Sequence, residues 1–241
     1  MIYRSHRGGV YWTPENTMPA FLDALERKYE YIETDPCLTK DGKIILLHDA
    51  TLNRTCRNAD GSALSQPVYH KDLTYDELLA YDAGIAWGAQ FKGTRIPLLE
   101  ELLAAAEGTG VIIALDKKIG NAELDPLLEL VQKYNTRVCF SCKDTERIRI
   151  IQSRIPDAMI DYDGNTTEAD LEAVTSLVKP ENLLVWLYMD KPNFAWLTDR
   201  YKLSPESCAR VKRYARLGIA NINNPCDLRE ALEYEPDVIE V

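Results

Sequence analysis

"EYIETDPCLTKDGKIILLHDATLNRT", residues 30–55, is the stretch on which the fold turns. "YIETD" and "KIILLHD" both have the apolar run of a strand, and only a tight turn at Asp41-Gly42 separates the second from "CLTKDG". A turn that short joins antiparallel neighbours in a hairpin, whereas parallel strands need a long crossover. Away from this stretch the chain alternates apolar runs with helical patterns. The runs are "MIYRSH", "VIIALD", "RVCFS", "AMIDYD", "LLVWLYM", "GIANIN" and "DVIEV"; the helical patterns include "MPAFLDALERK", "LLEELLAAAEG" and "LDPLLELVQKY". With "YIETD" the runs make eight strands, and eight strand-helix units close naturally into a parallel barrel. The expectation is an α/β chain, one (β/α)8 TIM-barrel domain over residues 1–241. A small insertion follows strand 2, from residue 36 to about 96, ending where "RIPLLEELL" starts the second barrel helix with Pro97 near its first turn.

A chain of 241 residues, 46% hydrophobic, is long enough to bury a sizeable core. Its formal charge of -10 opposes general binding to nucleic acid or to an anionic membrane surface, so an anionic substrate needs a local positive centre. The opening "MIYRSHRGGVYW" lacks the apolar stretch of a signal peptide, and no run of about 18 apolar residues occurs. A cytoplasmic protein without stable membrane insertion is expected. Six cysteines do not form a dense disulfide framework. Cys139 and Cys142 spell CxxC inside a strand, where positions three apart face opposite sides, and they read as buried apolar residues.

In a parallel barrel the loops at the C-terminal ends of the strands converge on one face, where chemistry is placed. The polar residues there are His6 and Arg7, Glu33 and Asp35, Asp116 and Lys118, Ser141, Asp161 and Asp163, Asp190, Asn221 and Asn223, and Glu240. Glu33 and Asp35, two apart on a strand, point to one face and repel unless a cation intervenes. With Asp116 they make three carboxylates whose hard oxygens suit Mg²⁺ or Ca²⁺ better than zinc. The structural alternative is an ion network in which Glu33 pairs with Lys118 or Arg7. His6 and His48 both end apolar runs, beside an Arg and an Asp, and such a pair can supply a general base and a general acid. The third histidine, His70, reads as surface.

The stretches "HRGGVYWTPENTMPAF", "IETDPCLTKDGKIILLHDATLNRT" and "DAGIAWGAQFKGTRIPLLEELL" strongly resemble the glycerophosphodiester phosphodiesterases. That family's pattern runs HRG, PENT, E-x-D, TKDG, HD-x-TL-x-RT and a Gly-rich segment ending I-P-x-L-x-E. The match is dense over residues 4 to 103 and beyond residue 120 is mostly one of element order. The resemblance implies a metal-dependent phosphodiesterase on a (β/α)8 barrel, acting on a small glycerophosphodiester. It makes His6 and His48 the catalytic pair, Glu33 and Asp35 metal ligands, Arg7 a phosphate contact, and Glu15 and Asn16 supports. Asp116 and Lys118 fall where the family has Glu-x-Lys; Asp116 is one methylene shorter. Cys142 and Ala220-Asn221 replace an aromatic residue and Trp-Thr, which bears on the substrate more than on the reaction class.

The reaction implied is hydrolysis to glycerol phosphate and an alcohol. A divalent cation on Glu33, Asp35 and Asp116 offsets phosphate charge, aided by Arg7 and Lys118. Two other classes stand beside it: a lyase cyclising a lysophospholipid headgroup, and a binding protein on a decayed enzyme scaffold. Tyr11, Trp12 and Trp87 either line an acyl entrance for such a lyase or bury the insertion against the barrel, the latter being favoured. "PDVIEV" stops at Val241 within the eighth strand without a covering helix, so a homodimer through the outer face of strands 1 and 8 is expected.

Overall fold

The computed structural model describes residues 1–189 and 201–241. Its strands, in chain order, are β1 (Ile2–Ser5), β2 (Tyr31–Thr34), β3 (Pro36–Leu38), β4 (Ile44–Leu46), β5 (Arg57–Asn58), β6 (Tyr81–Asp82), β7 (Ile112–Leu115), β8 (Arg137–Cys142), β9 (Met159–Tyr162), β10 (Leu183–Tyr188), β11 (Arg216–Ala220) and β12 (Val238–Glu240). Eight of them form a closed barrel in the order β1-β12-β11-β10-β9-β8-β7-β2, as the sequence leads one to expect. The chain groups into two compact units, Ser5–Arg137 and Met1–Arg4 with Val138–Val241.

Within Ser5–Arg137, β2 and β7 pair in parallel with Glu33 beside Ala114, and every residue of both strands is buried. A parallel strand covered on both faces needs such continuous apolar character, so the carboxylate at Glu33 is an exception that its site must explain. The hairpin is present: β3 and β4 pair antiparallel, Pro36 with Leu46 and Leu38 with Ile44. Its turn is closed by Gly42 at φ 76, a conformation that favours glycine, and by Thr39, whose hydroxyl donates to Asp41 at 2.6 Å. Ile45, Leu47, Leu52, Cys56, Leu78 and Ile96 pack into a core of their own beneath this segment. Helix α1 (Met18–Glu26) buries Ala20, Phe21 and Ala24; the one-turn α2 (Tyr75–Leu78) and α3 (Leu99–Ala106) follow, with α4 (Asp125–Val131) after β7. Pro97 lies just before α3 and not in its first turn: Leu98 flanks the helix and donates its N–H to the Glu101 carboxylate at 2.9 Å, while the Pro97 carbonyl accepts from Leu46.

The other unit holds β8 to β12 and helices α5 (Thr145–Arg154), α6 (Glu168–Thr175), α7 (Pro205–Lys212) and α8 (Pro225–Glu233). The sequence places its seventh strand at 218–223, but β11 ends at Ala220, because Asn221 adopts φ 68 and breaks the extended run. Cys139 and Cys142 are buried as expected, and burial pushes both thiols upward, away from thiolate chemistry. The Trp186 ring lies where a Cβ on residue 218 would sit, 2.7 Å away, so Gly218 is required there. Above that ring, at 3.5 Å, stacks the Arg4 guanidinium. No helix among the described residues is long and apolar enough to cross a membrane.

Candidate active site

The chain leaves β1 at Ser5 and turns sharply through His6–Gly8. Arg7 takes φ 50 and Gly8 φ 82, and a Cβ at Gly8 would come within 2.8 Å of Phe21 in α1. A left-handed arginine costs backbone energy, so it persists only where its contacts over-determine it. They do so here. The Arg7 N–H donates to Glu33 Oε2 at 2.8 Å, its guanidinium donates to Glu15 Oε1 at 3.0 Å, and its Nε lies 3.4 Å from Asp35 Oδ2. The His6 Nε2 stands 4.0 Å from Glu33 Oε2.

Asn16, another left-handed residue at φ 55, ties the same loop to β2. It donates from Nδ2 to Asp35 Oδ2 at 2.7 Å and accepts from the Thr34 hydroxyl and the Asp35 N–H through Oδ1. Asp35 is almost wholly buried, and its other oxygen lies 3.4 Å from the Lys118 ammonium, which is also 3.4 Å from Asp116. Burial raises the Asp116 carboxyl, but Lys117 and Lys118 outweigh it and hold the group at about 2. Glu33, Asp35 and Asp116 offer oxygen alone, a donor chemistry that fits a hard divalent cation. Among the described residues no three His, Cys, Asp or Glu side chains are disposed around one ion position, and Lys118 supplies the positive charge between Asp35 and Asp116.

His48 follows β4, its backbone anchored where Leu47 donates to the Asp35 carbonyl at 2.9 Å. Its Nδ1 is 2.7 Å from Asp49 Oδ1. Burial raises Asp49, but hydrogen bonds from Arg54 and His48 bring it down to about 2, so at neutral pH it is a carboxylate that can only accept. The proton of that bond therefore sits on His48 Nδ1, which in the neutral ring leaves Nε2 as the free base. Arg54 also grips Glu15, and burial of that carboxyl is outweighed by Arg54 and Arg7, so it too is lowered.

Of the residues singled out from sequence, His6, Arg7, Glu15, Asn16, Glu33, Asp35, Asp116 and Lys118 lie in or beside one bonded network, and His48 joins it through Asp49 and Arg54. The two histidine side chains remain about one third exposed, at 35% and 33%; Glu33 behind His6 is buried, while Asp49 beside His48 is nearly as exposed as the ring. Asp49 and Arg54 carry a part that sequence reasoning left unassigned, although both stand in the quoted "HDATLNRT". Asp161 and Glu240 do not belong here: both are bonded to Arg4, at 2.6 and 2.5 Å. His70 is half-buried rather than surface, with Nδ1 3.0 Å from the Leu38 carbonyl. Tyr11, Trp12 and Trp87 are exposed, Trp12 by 68%, which overturns the favoured reading that they bury the insertion. A cleft of about 170 Å³, lined by Pro14, Ala83, Ala86 and Trp87 with Arg54 and Arg57, opens beside Glu15. Asp190 lies outside the described residues.

The sequence model of the Glycerophosphoryl diester phosphodiesterase family matches residues 6–220. The chain belongs to that family. Among curated family relatives, a glycerophosphodiester phosphodiesterase of Caldanaerobacter subterraneus subsp. tengcongensis is 33% identical over 162 residues, covering 65% of this chain and 63% of that protein. Human lysophospholipase D is 35% identical over 137 residues, covering 54% of this chain and 41% of that one. The chain thus spans a little under two thirds of the first relative's length. Its fold matches a glycerophosphoryl diester phosphodiesterase from Parabacteroides distasonis (TM-score 0.76, 24% identity, 99% of this chain and 81% of that one). It also matches an Oleispira antarctica phosphodiesterase in complex with the product sn-glycerol-3-phosphate (TM-score 0.80, 16% identity, 100% and 92%).

Proposed function

We propose that this chain hydrolyses glycerophosphodiesters to glycerol phosphate and an alcohol, with His6 and His48 as the acid-base pair. The observation that carries the reading is the pair itself: each imidazole is part-exposed and backed by a carboxylate, Glu33 or Asp49, within one network of anions and cations. Arg7 and Lys118 bind the non-bridging phosphate oxygens, charge-assisted donors whose present partners are carboxylates. One imidazole takes the proton of the attacking water as the new P–O bond forms. The other donates its proton to the departing alcohol as the old P–O bond breaks. Glu33, Asp35 and Asp116 would hold Mg²⁺ or Ca²⁺, which when bound offsets negative charge on the phosphate.

In this reading residues 1–241 form one barrel domain with residues 36 to about 96 as its insertion, and the protein is a cytoplasmic homodimer, a partly exposed Tyr3 on β1 lying at the proposed seam. A second reading takes a lysophospholipid whose own hydroxyl attacks phosphorus, giving a cyclic phosphate; the exposed Tyr11, Trp12 and Trp87 favour it as contacts for an acyl chain. The test is a panel of glycerophosphodiesters and lysophospholipids, with and without EDTA, read by phosphorus NMR. A glycerol phosphate product supports the first reading, a cyclic phosphate the second. No turnover with any divalent cation would refute both and favour a binding protein. By calorimetry, Glu33→Ala and Asp35→Ala should each abolish cation binding, and unchanged affinity in both would remove that pair from the ligand set.

A further inference from the structure

The stretch "HDATLNRT" carries, next to its last residue, an arginine that the acid-base chemistry does not use. Both edges of its planar guanidinium are nevertheless engaged. Toward Glu15, Arg54 presents a fork of two hydrogen bonds, both at 2.7 Å; toward Asp49 it presents Nε at 2.6 Å and a second N–H at 3.2 Å. Each carboxylate carries a second partner. Glu15 accepts from Arg7 at 3.0 Å, and Asp49 binds the His48 ring at 2.7 Å. One side chain therefore ties the loop after β1, which bears His6 and Arg7, to the segment after β4, which bears His48.

We infer that Arg54 is a positioning residue: through Asp49 it fixes the orientation and tautomer of His48, and through Glu15 it locks that ring in register with Arg7. This rests on the reading of His48 as one of the acid-base pair. Asp49 alone has a freely turning carboxylate, and an imidazole bonded to it would follow its rotation. The second edge of the guanidinium stops that rotation, because Arg54 cannot turn without releasing Glu15. Lysine, a point charge without a planar fork, cannot hold both carboxylates in fixed planes. About half of the Arg54 side chain is exposed, at 47%, and it borders the open cleft beside Glu15, so a substitution there leaves no buried void.

The experiment compares wild type with Arg54→Gln, Arg54→Lys and Arg54→Ala, reading kcat and KM separately, thermal midpoint, and the His48 ring nitrogens by long-range ¹⁵N–¹H correlation. In Arg54→Gln and Arg54→Lys, kcat should fall on the order of 10- to 100-fold with KM nearly constant. The His48 resonances should move from a pure Nδ1–H pattern toward a tautomer mixture. Added guanidinium at millimolar concentration should restore part of the kcat of Arg54→Ala and none of the kcat of Arg54→Lys. A folded Arg54→Gln variant with wild-type kcat would overturn the inference, as would a fall in kcat with the His48 tautomer unchanged. The nitrogen spectrum needs no substrate, so it judges the link from Arg54 to His48 even if wild type turns over no glycerophosphodiester.

Discussion

Arg4 and Arg54 each join two carboxylates, and they differ in almost everything else. Arg4 bonds Asp161 at 2.6 Å and Glu240 at 2.5 Å, with side-chain exposures of 8%, 3% and 11%, and stacks on Trp186. Arg54 bonds Glu15 and Asp49 at comparable distances, but in a half-exposed setting, and its carboxylates go on to Arg7 and to an open histidine. The same ion chemistry thus serves two ends. Where the network is sealed from water its consequence is for stability, since removing one member strands a buried charge. Where it reaches water and ends on a titratable ring, its consequence is for where a proton sits.

The sharpest way to break this comparison is to remove each arginine. Arg4→Ala should lower unfolding free energy by about 3–5 kcal/mol, because Asp161 and Glu240 are left buried without their cation. Arg54→Ala should cost at most about 1 kcal/mol, as for other water-exposed pairs. Urea midpoints measure both, and equal losses would erase the distinction. Acid should separate the two networks next. Asp49 is held at about 2, below the unfolded value of about 3.9, so the unfolded chain takes up its proton first. Its contribution is complete above about pH 4 and is lost as pH falls toward 2. Burial, opposed only in part by Arg4, instead raises Asp161, so the folded state takes that proton first and acidification through its range relieves a cost. Asp49→Asn should remove part of the stability loss below pH 4 while Asp161→Asn leaves it in place; the same acid profile in both variants would contradict the assignment. His70, outside both networks, should affect stability alone. Losing its bond to the Leu38 carbonyl in His70→Ala should cost about 1 kcal/mol with kcat unchanged, and a fall in kcat matching that of a His48 variant would bring His70 into the site.

The barrel was legible because its strands are short apolar runs between helical patterns, and the hairpin because Asp41-Gly42 leaves no room for a crossover. The limits are equally physical. The end of β11 depends on the left-handed backbone at Asn221, which no periodicity announces. Position at a strand's C-terminal end marked Asp161 and Glu240 as candidates, but whether such a carboxylate meets substrate or a partner depends on what lies opposite, here Arg4. His6, His48 and the carboxylates stood out as polar residues interrupting apolar strands. Arg54 did not, since an arginine in a polar loop is unremarkable until its two distant partners are known. The exposure of Trp12 and Trp87 was likewise a matter of tertiary packing, not of residue type.

The measurement that bears most directly on the whole account is a turnover experiment in H₂¹⁸O with a glycerophosphodiester, followed by phosphorus NMR, for wild type, His6→Ala and His48→Ala. Wild type should release glycerol phosphate carrying one ¹⁸O from the attacking water, and each histidine variant should lower kcat by on the order of 10² or more. Both histidine variants should keep the wild-type thermal midpoint nearly unchanged. Release of the alcohol without ¹⁸O in the phosphorus product, or wild-type rates in both histidine variants, would contradict the account.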